Sequence, residues 1–218
     1  MNLNRTFPLL FVISVLMSFS VRAELSIQIT QGIDNPIPIA VVPFSWEGSD
    51  VLDEDIGEIV TADLQQVGEF RALSPSNMLA LPREEREVYY RDWSVLAQDY
   101  LLVGKVQRAP GSELIQVQYE FFDINREIKL AGEVLTGTTS QLRDIGHEIS
   151  NVVFELVTGT RGAFTTQILY IVSEFVSPEV SYFRLEKADY DGRRAQVLLE
   201  SREPIMSPSW SPNGQDIA

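Results

Sequence analysis

One histidine and one pair of aspartates are the residues of this chain best suited to chemistry. His147 is the only histidine among 218 residues, and His147-Glu148 could begin the metal-binding helix of a zinc protease. Such a helix needs a second histidine one turn later, where this sequence has Asn151. We therefore predict that His147 lies on an ordinary helix face and binds no metal.

The aspartate pair lies in Asp189-Tyr190-Asp191-Gly192, whose spaced carboxylates resemble the start of a calcium-binding loop. Arg193 and Arg194 follow where that loop requires a further ligand and a glycine. A tight turn explains the Asp-Gly pair better, because glycine accepts the positive φ that such turns need. We predict a β-hairpin turn here and no metal site.

Other catalytic signatures are absent from the sequence. No serine is framed by the glycines of a hydrolase nucleophile elbow, and there is no glycine-rich phosphate-binding loop. The chain has no cysteine, which removes thiolate nucleophiles, thiolate metal sites and disulfides. We therefore predict no catalytic residue and no cofactor.

The first 23 residues are organised like a secretory signal peptide. Arg5 precedes an apolar run from Phe7 to Met17, and small residues come just before the expected cleavage between Ala23 and Glu24. The apolar run is well short of the ~20 residues that span a bilayer. We expect a cleaved leader and an exported protein.

The charge balance narrows the choice of partners. The formal net charge is −14, and loss of the leader, which contains arginine but no acid, makes the mature chain still more acidic. Phosphate backbones and anionic lipid surfaces repel such a chain. We expect no nucleic-acid binding and no membrane insertion of the mature protein.

The middle of the chain has the pattern of an α/β domain. Ile37 to Phe44 is a continuous apolar run, typical of a strand covered on both faces. Acidic residues 53–55 then begin an amphipathic helix, with Ile56, Ile59, Val60, Leu64 and Val67 at helical spacing before Gly68.

A hairpin and a second long helix follow. Leu101 to Val106 predicts a buried strand, and the alternation from Ile115 to Phe121 predicts its antiparallel partner with one wetter face. Apolar residues recur at helical spacing from Ser140 to Val157, and Leu156 is one of them. The predicted helix should end at Gly159. We predict an α/β N-terminal domain, with two main helices on a small mixed sheet, over residues 37–162.

From residue 163 the pattern changes to short strands. They are predicted at Ile168–Val172, Tyr182–Lys187 and Ala195–Leu199, with a fourth beginning after Trp210. This spacing fits the first blade and the start of the second blade of a β-propeller over residues 163–218. A strand that starts as the sequence stops leads us to expect that the architecture continues beyond Ala218, as in a truncated propeller.

The stretch from Ser207 to Ala218 reads Ser-Pro-Ser-Trp-Ser-Pro-Asn-Gly-Gln-Asp-Ile-Ala and resembles the blade repeat of the TolB family. Asn213 stands where that repeat usually has aspartate. The apolar strand at 37–44, Thr158-Gly159 and the turn at 189–192 also follow the family's order, so the resemblance covers nearly the whole chain. It implies an α/β N-terminal domain before a propeller that has six blades in full-length members.

The resemblance implies a non-catalytic periplasmic adaptor of the Tol-Pal system. Such a protein links TolA to the outer-membrane lipoprotein Pal and serves outer-membrane integrity and outer-membrane invagination during cell division. The family's Pal-binding surface lies mainly on blades absent from this sequence, so we predict no Pal-contacting residue. Propellers of this type also occur in peptidases, and the alternative is an exported propeller-containing peptidase whose catalytic domain is missing.

In the family the mature N-terminus binds TolA, which places the predicted partner site on an N-terminal arm, residues 24–36. The binding residues implied are Glu24, Leu25, Ser26, Ile27, Gln28, Ile29 and Thr30. Apolar and polar residues alternate along this stretch, as addition of a strand to a partner's sheet requires. The same alternation fits the first strand of a domain sheet, and periodicity does not separate the two.

Overall fold

A computed structural model describes residues 35–177 and 180–218. The predicted signal peptide, its cleavage between Ala23 and Glu24, and the predicted TolA-binding stretch Glu24–Thr30 lie outside the described residues. Within them the chain forms a six-stranded sheet with helices, followed by a three-stranded antiparallel sheet. None of the helices in this described part combines the length and apolarity needed to cross a membrane.

The first sheet is mixed, as the sequence predicts. Its strands are β1 (Ile37–Val41), β2 (Ser45–Trp46), β3 (Phe70–Ala72), β4 (Tyr100–Arg108), β5 (Ile115–Asp123) and β6 (Ile128–Gly137). The order is β3-β1-β4-β5-β6, with β2 also pairing with β4. Strands β1, β2 and β3 take part in parallel pairs, whereas β4, β5 and β6 form antiparallel hairpins.

Three helices accompany this sheet: α1 (Ile56–Gln66), α2 (Tyr90–Val95) and α3 (Leu142–Thr158). Helix α1 begins where the acidic residues predict, because the Asp55 carboxylate accepts the Glu58 N–H at 3.0 Å and caps the helix. Helix α3 ends at Gly159, whose φ of 74° is the left-handed conformation that glycine adopts readily. The two long helices pack against each other.

The central strands β1 and β4 are buried on both faces of the sheet, whereas the edge strand β6 is largely exposed. Helices α1 and α3 cover one face over a large apolar cluster that includes Ile39, Leu64 and Leu102. On the other face, α2 and its flanking loops cover Ala40, Val42, Trp93, Leu101, Val103, Phe122 and Ile124. Burial on both sides explains why β1 and β4 are continuously apolar rather than alternating.

Two residues assigned to the buried helix stripes are in fact exposed. Val67 is 39% exposed because it is the C-cap of α1 and lies beyond its last full turn. Leu156 is 45% exposed, since the buried stripe of α3 runs through Ile149 and Val153 towards half-buried Val157. The predicted stripes are therefore wrong at the C-terminal end of each helix.

The second sheet has the order β7-β8-β9. Its strands are β7 (Gln167–Ser177), β8 (Val180–Asp189) and β9 (Gln196–Ser201), all antiparallel. The predicted fourth strand after Trp210 is not a strand among the described residues. Trp210 forms only an isolated bridge with Ile217, because the chain folds back on itself through a turn at Gly214 with φ of 69°.

Candidate functional site

Buried charged residues are concentrated where α1 and α3 meet the turn between β8 and β9. Asp63, Arg143 and Asp189 are 2%, 7% and 6% exposed. Burying a charge is costly unless protein partners replace the lost water. The charged residues and their partners at this place form what we name the junction cluster: Asp63, Arg143, Asp144, His147, Ser150, Asp189, Tyr190, Asp191 and Arg194.

Asp63 is the centre of the junction cluster. Its Oδ2 accepts a hydrogen bond from His147 Nδ1–H at 2.8 Å and another from Ser150 Oγ–H at 2.6 Å. Its Oδ1 accepts a hydrogen bond from the Tyr190 hydroxyl at 2.6 Å. With three donors the carboxylate is satisfied although water scarcely reaches it.

Helix packing brings these groups into contact. His147 and Ser150 are three residues apart on α3, which places them on one face of the helix, opposite Asp63 on α1. Gly146 permits the approach, because a Cβ at that position would lie 2.8 Å from Cγ2 of Ile59 on α1. The glycine therefore sets the distance across which the side chains of the two helices meet.

Tyr190 is the aromatic residue that the blade contributes to the junction cluster. Its ring packs edge-on against His147, with centroids 5.4 Å apart, and against Phe164, with centroids 5.3 Å apart. Burial, followed by the hydrogen bond to Asp63, raises the pKa of the Tyr190 phenol well above its ordinary value. The phenol therefore stays protonated and remains a donor to Asp63.

Arg143 holds the same turn through ion pairs. This nearly buried guanidinium bonds to Glu54 at 3.4 Å, lies 3.5 Å from Asp189, and also pairs with Asp191. Glu54 precedes α1 and Asp191 lies in the β8–β9 turn, so one arginine of α3 joins both neighbours. Pairs that are shielded from solvent are less weakened by salt than exposed ones.

Arg194 adds a second ion pair at the rim of the cluster. Its Nε bonds to Asp189 at 2.6 Å, and its guanidinium also pairs with Asp144 at the start of α3. The hydrogen bonds to Asp144 and then to Asp189 raise the pKa of Arg194 further above its already high value. Arg194 therefore carries a permanent charge between the helix and the turn.

The cluster meets one geometric requirement of a cation site. Candidate ligand atoms of His147, Asp189 and Asp191 lie within 4.8 Å of one another. All four carboxylate oxygens, however, already accept hydrogen bonds: those of Asp189 from Arg194, and those of Asp191 from Arg143 and the backbone N–H of Arg193. A cation would compete with two guanidinium groups, so this arrangement favours an ion-paired turn.

Asp63, His147 and Ser150 are also the residue types of a hydrolytic triad. Their geometry differs, because the Ser150 hydroxyl donates to Asp63 at 2.6 Å, with the Gly146 carbonyl 3.0 Å away, rather than to the imidazole. Ser150 is fully buried, and a nucleophile must reach its substrate. The three residues therefore hold two helices and a turn together and present no reactive hydroxyl.

The sequence prediction for this region was partly right. The turn at Asp189–Gly192 is confirmed, with Gly192 at φ of 82°. His147 does lie on a helix, but on the face that is buried against Asp63. Asp63 could have indicated this cluster from the sequence, because a carboxylate next to Leu64 on the buried face of α1 must find hydrogen-bond partners on other elements. The predicted arm residues Glu24–Thr30 fall outside the described residues and stay a prediction.

Comparison with known proteins identifies the class from both regions. Residues 25–130 match the family model of the TolB amino-terminal domain, and residues 154–218 match that of the TolB beta propeller domain. The fold is thus an α/β domain leading into a β-propeller. The chain belongs to the TolB family.

Relatives in other bacteria agree with this assignment. The chain is 43% identical to the Tol-Pal system protein TolB of Hahella chejuensis, covering 95% of this chain and 48% of that protein. It is 42% identical to the protein of the same name in Pseudomonas aeruginosa, covering 93% of this chain and 46% of the relative. The chain spans about half the length of these curated relatives.

A solved structure supports the fold. The crystal structure of TolB from Acinetobacter baumannii superposes with a TM-score of 0.73 at 28% identity. The match covers 84% of this chain and 43% of that protein.

Proposed function

We propose that the protein is a non-catalytic periplasmic adaptor of the Tol-Pal system that links TolA to the outer-membrane lipoprotein Pal. In this role it supports outer-membrane integrity and outer-membrane invagination during cell division. The observation that carries the proposal is that both regions match TolB domains and that the relatives are named Tol-Pal system proteins. The leader expected at residues 1–23 agrees with export.

The chemistry of the junction cluster supports a role without catalysis. Asp63 and Asp189 accept hydrogen bonds from neighbouring residues, and Ser150 has no access to solvent. Charged groups that pair with one another stabilise the packing of the helices and the turn rather than a transition state. The peptidase alternative gains no support from the relatives compared above, which carry the Tol-Pal name.

We assign TolA binding to the N-terminal arm, residues 24–36. If this stretch adds to a partner's sheet as a strand, the alternation would place Leu25, Ile27 and Ile29 on one side, able to enter pockets of the partner, while the backbone would bond to the edge of the partner's sheet. The arm precedes an α/β domain at 37–162 and the propeller region at 163–218. In this division the arm binds its partner without contributing to the core that follows it.

Deletion of residues 24–35 from the full-length mature protein tests the assignment. The deletion should abolish TolA binding, measured by calorimetry, and should change the melting temperature little, because the core of the α/β domain lies in the elements from β1 onwards. A matched pair of point variants separates side-chain pockets from backbone pairing. Ile27→Lys should weaken binding strongly, whereas Gln28→Lys, on the opposite face of the strand, should have little effect.

The opposite outcome is equally distinct. A large loss of thermal stability after the deletion, with TolA affinity kept in the protein that remains folded, would show that residues 24–35 form a structural strand. Equal weakening by Ile27→Lys and Gln28→Lys would contradict strand addition in this register.

A further inference from the structure

Two sets of polar contacts join the α/β domain to the blade region. Asn151 of α3 accepts the Phe164 N–H at 3.0 Å and donates to the Thr165 hydroxyl at 3.1 Å, which holds the segment before β7, while the three-stranded sheet itself is joined at a single turn. Among the described residues, every hydrogen bond and ion pair that connects α1 or α3 to the three-stranded sheet ends on residues 189–194. Apolar contact adds Tyr190, which packs on His147, and Phe164 before β7, which packs on Phe154 of α3 and on Tyr190. The blade is thus held at one end of β8 and β9 rather than along a broad face.

The helical side of this contact is satisfied without the turn. If Tyr190 left, Asp63 would still accept from His147 and Ser150, because both donate to the other carboxylate oxygen. Arg143 would still pair with Glu54. Departure of the turn therefore leaves neither buried charge on the helices without a partner.

The blade side is satisfied without the helices. Asp189 keeps two bonds from Arg194, at 2.6 and 3.1 Å, within the same turn. Asp191 keeps the backbone N–H of Arg193 at 3.0 Å, and the backbone N–H of Tyr190 donates to the Thr166 carbonyl. The turn can therefore move as one preformed unit.

Removing one partner of a buried ion pair is costly because the other charge is left alone. Both sides of this junction avoid that cost, and residues 159–163 between α3 and the blade form no helix or strand. We propose that residues 189–194 are a latch that docks the blade on α1 and α3 and releases it as a unit while both regions stay folded. This inference stands apart from the proposed Tol-Pal role.

The single histidine provides a direct readout of the latch. His147 is buried under the Tyr190 ring, so release of the turn exposes an imidazole that diethylpyrocarbonate can modify. Modification is followed by mass spectrometry of the tryptic peptide 144–161, which contains the only histidine. The modification rate in the intact protein then reports the open fraction.

Tyr190→Phe keeps the ring but removes the hydroxyl that bonds to Asp63. Loss of a hydrogen bond to a charged group should raise the fraction of molecules with a released turn by about tenfold. Modification of His147 should therefore accelerate by about the same factor. Tyr170→Phe is the matched control, because the Tyr170 hydroxyl also bonds to a carboxylate, Glu186 at 2.9 Å, but within the blade. It should leave the rate unchanged.

A charge variant repeats the test independently. Asp191→Asn weakens the pair with Arg143 and should also accelerate modification, whereas Glu174→Gln, which weakens the pair with Arg184 inside the blade, should not. Amide hydrogen exchange in β4 and β5 should be the same in all four variants. The latch is contradicted if Tyr190→Phe and Asp191→Asn leave the modification rate unchanged, or if exchange in β4 and β5 accelerates in parallel, which would mean global unfolding.

Discussion

The α/β domain and the first blade are built from similar apolar strands that have very different surroundings. In β4, Leu101 and Leu102 are fully buried, one on each face of the sheet. In β9, Leu198 and Leu199 are 42% and 52% exposed, although the local sequence is just as apolar. An apolar pattern therefore predicts a strand, but the elements that cover the strand decide how much it stabilises the fold.

The two regions consequently depend on different forces. The α/β domain has an apolar cluster on each side of its sheet, so the hydrophobic effect stabilises it from within. In the described part of the blade, Leu185 and Ala188 of β8 are buried, whereas β9 is largely exposed. Polar contacts of the 189–194 turn fix this sheet to the helices. A substitution in the α/β domain should therefore affect stability differently from a substitution in the blade.

The largest expected effect is in the α/β core. Leu64→Ala removes a fully buried side chain and should lower the free energy of unfolding by about 2–5 kcal/mol. Leu198→Ala in β9 removes the same atoms from an exposed position and should cost less than about 1 kcal/mol. Urea denaturation of both variants measures the difference.

Gln65→Ala is the control for the helix phase of α1. Gln65 follows Leu64 but points to solvent, so its substitution should leave the urea midpoint almost unchanged. Similar midpoints for Leu64→Ala and Gln65→Ala would contradict the assigned buried face. A Leu198→Ala effect as large as that of Leu64→Ala would remove the contrast between the two regions.

The contact between α1 and α3 gives the next effect. In Gly146→Ala the new methyl group meets Ile59 of α1, and crowding of this kind typically costs about 1–3 kcal/mol. The helix propensity of alanine returns about 1 kcal/mol, so we expect a net loss of about 1 kcal/mol. Gly132→Ala in β6, where the nearest atom is 3.4 Å away, should be tolerated. Calorimetric unfolding that shows Gly146→Ala to be stabilising would rule out a close approach of the helices.

Much of the fold was predictable because its signals are local. The apolar run of β1, the Asp55 cap of α1 and the glycine stop of α3 each lie within a few residues of the feature they specify. The three blade strands were predicted as short strands between turn residues. Each of these signals lies beside the element it specifies, so a single sequence contains it directly.

The junction cluster was not predictable in the same way. Asp63 finds its partners 84, 87 and 127 residues away, at His147, Ser150 and Tyr190. A single sequence shows that a buried carboxylate needs donors but not which residues the fold supplies. The exposed positions of Val67 and Leu156 were missed because periodicity fixes neither the last residue of a helix nor how far the neighbouring elements cover its last turn.

Alkaline titration should separate the two regions by a smaller effect. Burial raises the pKa of Tyr119 in β5 to about 12, above the ~10 of an unfolded tyrosine. The folded state therefore keeps the proton longer, and this contribution to stability is fully present below about pH 10 and lost as the pH rises through about 12. Tyr119→Phe should flatten the fall in stability over this range, measured by denaturation at several pH values.

Tyr170 of the blade is the matched comparison for this titration. Its pKa is raised first by the hydrogen bond to Glu186 and then by burial. Because Tyr170 is only partly buried and water screens its ionised form, Tyr170→Phe should leave the alkaline fall in stability nearly as steep as before. If Tyr170→Phe flattened the curve and Tyr119→Phe did not, alkaline stability would be governed by the blade.

The smallest effect is expected for ion pairs on the blade surface. Arg184 pairs with Glu174 at 3.3 Å and with Glu186 at 3.1 Å, in contact with solvent. Such pairs contribute little because water screens them. Arg184→Gln should leave the melting temperature almost unchanged, and a marked decrease would show that blade ion pairs stabilise the fold.

Amide hydrogen exchange of the mature chain as far as Ala218 tests the contrast between the two regions most directly. Strands β4 and β5 lie inside a sheet covered on both faces, so their amides should exchange only through global unfolding of the α/β domain. Strand β9 pairs with β8 alone among the described strands and is largely exposed, so its amides should exchange far faster. Equally slow exchange in β4, β5 and β9 of the monomeric protein would contradict the account.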